Sequence, residues 1–203
     1  MVRDYALAVS GLLTPTIGGP SVKPYQPEGV WETVAMEESN TRFYQQDYGD
    51  KLYRRSMYTF WKRSAPPASM DIFNAPTREV CSVRRERTNT PLQALVTMNG
   101  PQFVEAARVL AEQAIRESGS SVDGEIDFMA ARVLCRPLVA KERDLIRNTQ
   151  KQFLGYYDAH PEEARKLLAV GQAPVNGEAN PADLAAATMV ANQMMNLDEV
   201  LEK

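Results

Sequence analysis

Histidine and cysteine are scarce in this chain of 203 residues. The one histidine is His160, and the two cysteines are Cys81 and Cys135. The cysteines have neither CxxC spacing nor a neighbouring histidine, which excludes a local zinc or haem motif. A lone histidine before a proline is more typical of a helix N-terminal residue than of a general base or a metal ligand. We therefore expect no catalytic residue, no metal site and no cofactor.

The sequence leaves three roles open for the two thiols. Our preferred interpretation is that Cys81 and Cys135 are buried and reduced. A disulfide between them is the second interpretation, and it requires an oxidising compartment and Cα atoms within about 7 Å of each other. A nucleophilic cysteine is the third. The exposure of the thiols and their oxidation state distinguish these roles.

Long apolar runs are also missing. No stretch approaches the roughly 18 apolar residues of a membrane-spanning helix, so we expect no membrane insertion. The formal net charge of −3 argues against a general nucleic-acid binder. The first residues, MVRDYALAVSGLL, carry Asp4 and only a short apolar stretch, unlike a signal peptide. They have the pattern of an amphipathic helix, and a chain that opens inside such a helix suggests a fragment of a longer protein.

Prolines mark the predicted helix starts. A proline at the first helical position lacks an amide that would be unpaired there in any case. Before the first of these prolines, Thr90 and Gln93 have the spacing of a capping box, in which each side chain binds the other residue's amide. The four predicted starts are Pro91, Pro101, Pro161 and Pro181. After the second start, Phe103, Ala107 and Leu110 recur at helical spacing and predict one buried face.

The stretch between the first helix and Thr90 has a different composition. It contains TPTIGGPSVKPYQPEGVW, whose four prolines and three glycines disfavour a continuous helix. We expect Tyr25 and Trp31 to hold this loop against the body of the protein. Further along, either Ser56 caps a short helix that carries Met57, Phe60 and Trp61, or the run MYTFW forms a strand. The sequence thus predicts a mainly α fold: one irregular helical domain over residues 1–203, with a long proline-, aromatic- and arginine-rich loop segment.

Arginine is strongly clustered within that segment. Between Lys51 and Arg87, nine basic residues stand against three acids, a net charge of +6, whereas the rest of the chain carries −9. Most of these basic residues are arginines, whose planar guanidinium suits carboxylate, sulfate or phosphate groups. The candidate anion-binding residues, including two flanking aromatic side chains, are Arg54, Arg55, Arg84, Arg85, Arg87, Tyr58 and Trp61.

A structural role for the same arginines competes with the binding role. An irregular segment has many backbone carbonyls without a ladder partner, and arginine can donate several hydrogen bonds to them. Carboxylates such as Glu79 and Glu86 offer further partners. We therefore favour structural braces over a binding site for Arg84, Arg85 and Arg87.

Three blocks of the chain resemble a known family. They are SGLLTPTIGGPSVKPYQPEGVWE, YRRSMYTFWKRSAPPASMDIFNAPTREVCSVRRERTNTPLQALVTMNGPQFVEAARVLAEQ and PADLAAATMVANQMMNLDEVLEK. They resemble the C-terminal part of domain of unknown function 1553, a family abundant in planctomycetes and related bacteria. The resemblance implies an exported parent protein, periplasmic or at the cell surface, in which this domain follows domain of unknown function 1549. It implies no reaction and supplies no catalytic residues.

Two functions remain after these steps. The first is a non-catalytic helical binding or scaffolding module, which engages the N-terminal remainder of its own parent chain or an anionic polysaccharide. The alternative is part of an enzyme whose active site combines the arginine- and aromatic-rich segment with a missing N-terminal domain. The lack of a nucleophile motif such as GxSxG, together with the poverty in histidine, favours the first.

Overall fold

Nine α-helices run through the part of the chain that the computed structural model describes, which comprises residues 1–84, 86, 88–119, 121–177 and 179–201. No β-strand lies among these residues, and the predicted mainly α fold is confirmed. The helices are α1 (Val2–Val9), α2 (Ala68–Ile72), α3 (Pro91–Asn99), α4 (Pro101–Ser118), α5 (Val122–Val133), α6 (Ala140–Ala159), α7 (Pro161–Leu168), α8 (Pro181–Met195) and α9 (Asp198–Leu201). The chain forms two compact units: a helical unit (Met1–Leu12 and Thr97–Lys203) and an irregular unit (Leu13–Val96).

All four helix starts predicted from proline are confirmed, since α3, α4, α7 and α8 each begin at the expected residue. The capping box before α3 is present too. The Thr90 amide donates to Gln93 Oε1 at 3.1 Å, and the Gln93 amide donates to Thr90 Oγ1 at 3.3 Å. Gln93 does more than cap, because its Nε2 also donates to Ile72 O at 2.9 Å and to Thr88 Oγ1 at 2.8 Å. It therefore ties the end of α2 to the start of α3.

Helix α8 lies at the centre of the helical unit, against α4, α5, α6 and α7. Its sequence, PADLAAATMVANQMM, is small or apolar on almost every side, which is the pattern of a buried helix. Ala185, Ala187 and Ala191 have no exposed surface, and their small side chains allow neighbouring helices to approach closely. The Asn180 side chain caps this helix by accepting a hydrogen bond from the Ala182 amide at 2.9 Å.

Helix α4 buries a charged face as well as the predicted apolar one. Phe103, Ala107 and Leu110 are buried, as their spacing predicts. Glu105 and Arg108, whose charges would favour a solvent-facing position, are also buried. Each of them binds the backbone of the loop that follows α7, so the charged face of α4 positions that loop.

The loop after α7 requires glycine at its start. The amides of Gln172 and Ala173 donate to Glu105 Oε1 at 2.6 and 2.7 Å, and Arg108 Nη2 donates to Ala173 O at 2.7 Å. Gly171, just before these residues, has a φ of +96°, in the left-handed region that favours glycine. A Cβ atom at this position would lie 2.4 Å from Glu105 Cδ. Both conformation and space therefore exclude a larger residue.

The irregular unit is organised around Trp31, which is 2% exposed. The Tyr44 ring meets the Trp31 ring edge-on at 4.8 Å, and the Phe60 ring lies at 5.5 Å. Lys62 Nζ lies 4.8 Å from the Trp31 ring centre and donates to a backbone carbonyl at 2.8 Å. Trp31 thus holds the end of the proline-rich loop against the rest of the irregular unit, whereas Tyr25, named with it in the prediction, is half-buried. The stretch MYTFW matches neither alternative in full, because a 3₁₀-helix covers only Ser56–Tyr58 and Thr59 forms an isolated parallel bridge with Val22 instead of a strand.

The two cysteines are free and exposed, so the prediction that both thiols are buried is wrong. Cys81 lies in an irregular stretch with no surrounding core. Cys135 follows the end of α5 with a φ of +57°, in a turn that leaves its side chain at the surface. Their burial was expected because free cysteines are usually buried, and the loop positions of both residues override that tendency.

Candidate functional site

Arg54, the first of the candidate anion-binding residues, is a structural brace. Its side chain is 6% exposed. Nη1 donates to Pro20 O at 2.8 Å, and Nη2 donates to Thr16 O at 3.1 Å and to Gly18 O. These carbonyls belong to a turn that has no sheet ladder to satisfy them, so the guanidinium takes the place of the missing backbone partners.

Tyr58 completes the same arrangement. The guanidinium of Arg54 lies 3.9 Å from the centre of the Tyr58 ring, within the range of a cation–π interaction. The Tyr58 hydroxyl accepts a hydrogen bond from the Gly18 amide at 2.8 Å. Arg54 and Tyr58 are thus brought together by the glycine turn that they hold.

Three other candidates, Trp61, Arg55 and Arg84, lie among the described residues. The Trp61 ring is covered by Arg78, whose guanidinium lies 4.9 Å from the ring centre. Arg55 and Arg84 are exposed. Arg85 and Arg87 lie outside the described residues, so neither their role as braces nor their role in binding is tested. The assignment of this set to anion binding stays a prediction.

His160 lies between α6 and α7, at the helix N-terminal position expected from its sequence. Its side chain does not cap α7. Instead Nδ1 lies 2.8 Å from Tyr156 O, and the imidazole stacks on the Tyr156 ring with centroids 4.4 Å apart. The imidazole is therefore held against the last turn of α6 at the surface. Among the described residues, no group of three or more histidine, cysteine or acidic side chains is arranged for a metal ion.

The helical unit contains an open cleft of about 670 Å³ between α4, α5, α6, α8 and the loop before α8. Its apolar lining comes from Ile115, Val122, Leu154, Ala179 and Ala186. Its charged lining comes from Glu112, Arg116, Glu125, Arg147, Lys151 and Asp183. A cleft of this size with a mixed lining is of the kind that binds small molecules.

Two buried polar side chains meet in this cleft. Glu125 on α5 is 6% exposed, and Gln150 on α6 is 7% exposed. Gln150 Nε2 donates to Glu125 Oε2 at 2.8 Å. Burial raises the pKa of Glu125 above its ordinary value; the Gln150 hydrogen bond opposes this rise, and the Asp183 carboxylate adds to it. Gln150 Oε1 is buried without a hydrogen-bond partner among the described residues.

The rim of the cleft is held by ion pairs that point away from it. Arg147 Nη2 binds Asp123 at 2.8 Å, and its Nη1 binds Asp144 at 2.8 Å. Glu112 is paired with the buried Arg108 at 2.5 Å. The charges of Arg147 and Glu112 are therefore largely balanced by residues outside the cleft.

Sequence reasoning missed this cleft. Glu125 and Gln150 stand far apart in the sequence in no recognisable motif, and each is an ordinary polar residue of its helix. One signal was available for the buried charges of α4: Glu105, Arg108 and Glu112 recur at spacings of three and four, which places them on one side of the helix. That pattern alone does not show whether the side is buried.

Comparison with known families identifies the chain over most of its length. Residues 1–150 match the family PSD1, described as a protein of unknown function (DUF1553). No curated protein matches the chain. No solved structure matches it either. The match includes the first two of the three blocks noted above and covers well over half of the sequence, so the chain belongs to the DUF1553 family.

Proposed function

We propose that the chain is a non-catalytic helical binding module of an exported multidomain bacterial protein, and that its ligand binds in the cleft of the helical unit. The cleft itself carries the proposal. Its volume of about 670 Å³ lies within the roughly 300–1,000 Å³ of ligand pockets. It also combines an apolar wall with a few convergent polar groups, which is how such pockets obtain both affinity and orientation.

The walls of the cleft support binding because they are rigidly placed. One side is α8, which is buried against four other helices. The loop that supplies Ala179 and Asn180 begins where Glu105 and Arg108 hold its backbone. A site on such fixed elements loses little conformational freedom when a ligand binds.

A substitution at the mouth of the cleft tests this proposal. Val122 lines the cleft and is 43% exposed, so Val122→Trp obstructs the mouth without disturbing the core. Val139, which is 60% exposed and does not line the cleft, provides the matched control Val139→Trp. We expect small molecules selected by their stabilisation of the parent chain to lose binding in Val122→Trp and to keep it in Val139→Trp. Binding that survives equally in both variants places the ligand elsewhere.

An anionic polysaccharide on the irregular unit is the second candidate function. It is favoured by the exposure of Arg55 and Arg84 in a segment of +6 net charge. Exposed arginines bind anions in a salt-dependent manner, because screening shortens to about 8 Å at physiological ionic strength.

Arginine variants separate binding from bracing. Arg54→Ala removes the hydrogen bonds to the carbonyls of Thr16, Gly18 and Pro20, which are worth about 0.5–1.5 kcal/mol each, and should melt at a lower temperature than the parent. Arg84→Ala should melt like the parent and weaken binding to a sulfated glycan at low salt. Lys141→Ala, an exposed cation in the helical unit, is the control. If the parent binds no sulfated or carboxylated glycan at low salt, the polysaccharide candidate is lost.

A further inference from the structure

We infer that Asn176 is a site of spontaneous deamidation, in which the Asn176–Gly177 pair forms a cyclic imide that water opens to aspartate or isoaspartate. The sequence contains an Asn–Gly pair at two places, Asn176–Gly177 and Asn99–Gly100. The structure distinguishes them, because the asparagine of the first lies in a loop and that of the second lies in a helix. The inference is independent of the proposed function, since the reaction requires only this dipeptide and water.

The reaction begins with closure of a ring between the two residues. The Gly177 amide nitrogen bonds to Asn176 Cγ, the Cγ–Nδ2 bond breaks, and the Gly177 amide proton leaves with Nδ2 as ammonia. Water then adds to one of the two carbonyl carbons of the imide, which gives aspartate or isoaspartate without any oxidation or reduction. Glycine favours the first step because it has no Cβ to shield the attacking nitrogen and leaves the backbone free to rotate.

Both reacting groups of the first pair are accessible. Asn176 and Gly177 are exposed, and a Cβ added at Gly177 would have no atom within 4 Å. The Asn176 side chain and the Gly177 amide take part in no hydrogen bond within the part of the chain that the structure describes. No contact therefore has to break before the amide nitrogen reaches Cγ.

The pair lies between two points at which the loop is anchored. Before it, Arg108 Nη2 donates to Ala173 O at 2.7 Å. After it, the Asn180 side chain accepts a hydrogen bond from the Ala182 amide at 2.9 Å and caps α8. The rotation that ring closure requires can take place between these anchors, so the reaction does not depend on unfolding of the helices.

Asn99–Gly100 has the same two residues in an unsuitable backbone. Asn99 is exposed too, but it is the last residue of α3. A helical ψ of about −42° turns the next amide nitrogen away from the asparagine Cγ, so the ring cannot close. Gly100 is held in place at the start of α4, because its carbonyl oxygen accepts hydrogen bonds from the Phe103 and Val104 amides at 2.9 and 3.1 Å.

The reaction alters the surface of the cleft, because Asn176 belongs to its lining. Either product replaces a neutral amide with a carboxylate, which adds one negative charge there. Isoaspartate also lengthens the backbone by one methylene group in the loop before α8. A chain that has reacted therefore differs from a new one in both the charge and the loop geometry of the cleft.

The two Asn–Gly pairs provide a comparison within one molecule. The intact folded chain is incubated in mildly alkaline buffer, which favours loss of the amide proton, and both sites are followed by peptide mapping with mass spectrometry. We expect Asn176 to deamidate at least about tenfold faster than Asn99, which a modest difference in activation free energy suffices to produce. In guanidinium chloride at the same pH, both backbones are free and the two rates should become similar. Methylation by an isoaspartate-specific methyltransferase identifies the isoaspartate product.

Gly177→Ala provides the decisive variant. The added methyl group shields the attacking nitrogen but meets no neighbouring atom, so the variant should melt like the parent. We expect deamidation at Asn176 to slow by at least about tenfold and the rate at Asn99 to stay unchanged. Gly155→Ala, which also adds a methyl group in open space, is the matched control and should leave both rates unaltered.

Three results overturn the inference. The first is a folded chain in which Asn99 reacts as fast as Asn176. The second is an Asn176 that stays intact in the folded chain for as long as the denatured chain needs to react there. The third is a rate at Asn176 that Gly177→Ala does not change. None of these results bears on the proposed function, which is tested separately by ligand binding to Val122→Trp.

Discussion

Glu105 and Gly171 show how single residues fix the loops of this chain. Glu105 is a fully buried carboxylate that accepts hydrogen bonds from two successive amides, and Gly171 leaves the space that its side chain occupies. Arg54 fixes a loop in a similar way but as a donor, because its guanidinium donates hydrogen bonds to several carbonyls of a glycine turn. In both places a buried polar side chain replaces the backbone pairing that a strand would provide.

Gly171→Ala tests this arrangement. The added methyl group meets the Glu105 carboxylate and also requires a left-handed backbone, so we expect a loss of about 1–3 kcal/mol in the free energy of unfolding. Gly155→Ala is the matched control, because Gly155 lies within α6 with no atom within 4 Å of the added Cβ. That variant should gain about 0.5–1 kcal/mol from helix propensity. Urea denaturation of both variants decides the matter, and an unchanged Gly171→Ala variant contradicts the assigned role of Gly171.

At the scale of elements, short sequence patterns predicted where helices begin, but they did not predict polar contacts between residues far apart in the sequence. The starts of α3, α4, α7 and α8 follow from proline chemistry within one turn, so the sequence predicts them directly. The pairing of Glu125 with Gln150 arises only when α5 packs against α6, and no local rule specifies that contact. The exposure of Cys135 likewise depends on how α5 ends. The contacts of Arg54 and Tyr58 with the glycine turn are likewise tertiary, and no local rule predicts them.

The start of α6 provides a pH-dependent test at this scale. Arg136 donates to both carboxylate oxygens of Glu142 at 2.8 and 2.9 Å, and the Val139 amide donates to Glu142 at 3.0 Å. The Arg136 hydrogen bonds, followed by that of Val139, lower the pKa of Glu142 from 4.5 to about 2. Because the folded state prefers the ionised carboxylate, Glu142 stabilises the fold above its ordinary pKa, and this contribution disappears as the pH falls towards 2.

We therefore expect Glu142→Gln to be less stable than the parent near neutral pH and the difference to shrink below a pH of 4.5. Urea denaturation from neutral pH down to about pH 3 measures this difference. Glu162→Gln, which removes an exposed ion pair with Arg165 on α7, is the control, because such surface pairs contribute little. A stability difference that stays constant over this pH range shows that the charge of Glu142 plays no part.

At the scale of the whole molecule, the irregular unit is inserted into the sequence of the helical unit. The helical unit is built from Met1–Leu12 and Thr97–Lys203, with the irregular unit formed by the intervening Leu13–Val96. Within the helical unit α1 packs against α4, so the folded helical unit restrains both ends of the intervening segment. Unfolding of the irregular unit alone then releases less chain entropy than unfolding of a free segment.

No helix in the described part of the chain is both long and apolar enough to cross a bilayer.

The single domain predicted from the sequence requires that both units unfold in one cooperative transition. The chain offers separate probes, because its two tryptophans, Trp31 and Trp61, lie in the irregular unit, whereas most helices lie in the helical unit. We expect tryptophan fluorescence and far-UV circular dichroism to give the same urea midpoint, which is the standard sign of two-state unfolding. Gly171→Ala, placed in the helical unit, should lower both midpoints equally because one cooperative transition reports every local loss of stability. A fluorescence midpoint that stays at the parent value in this variant, while the dichroism midpoint falls, means that the chain consists of two independent domains.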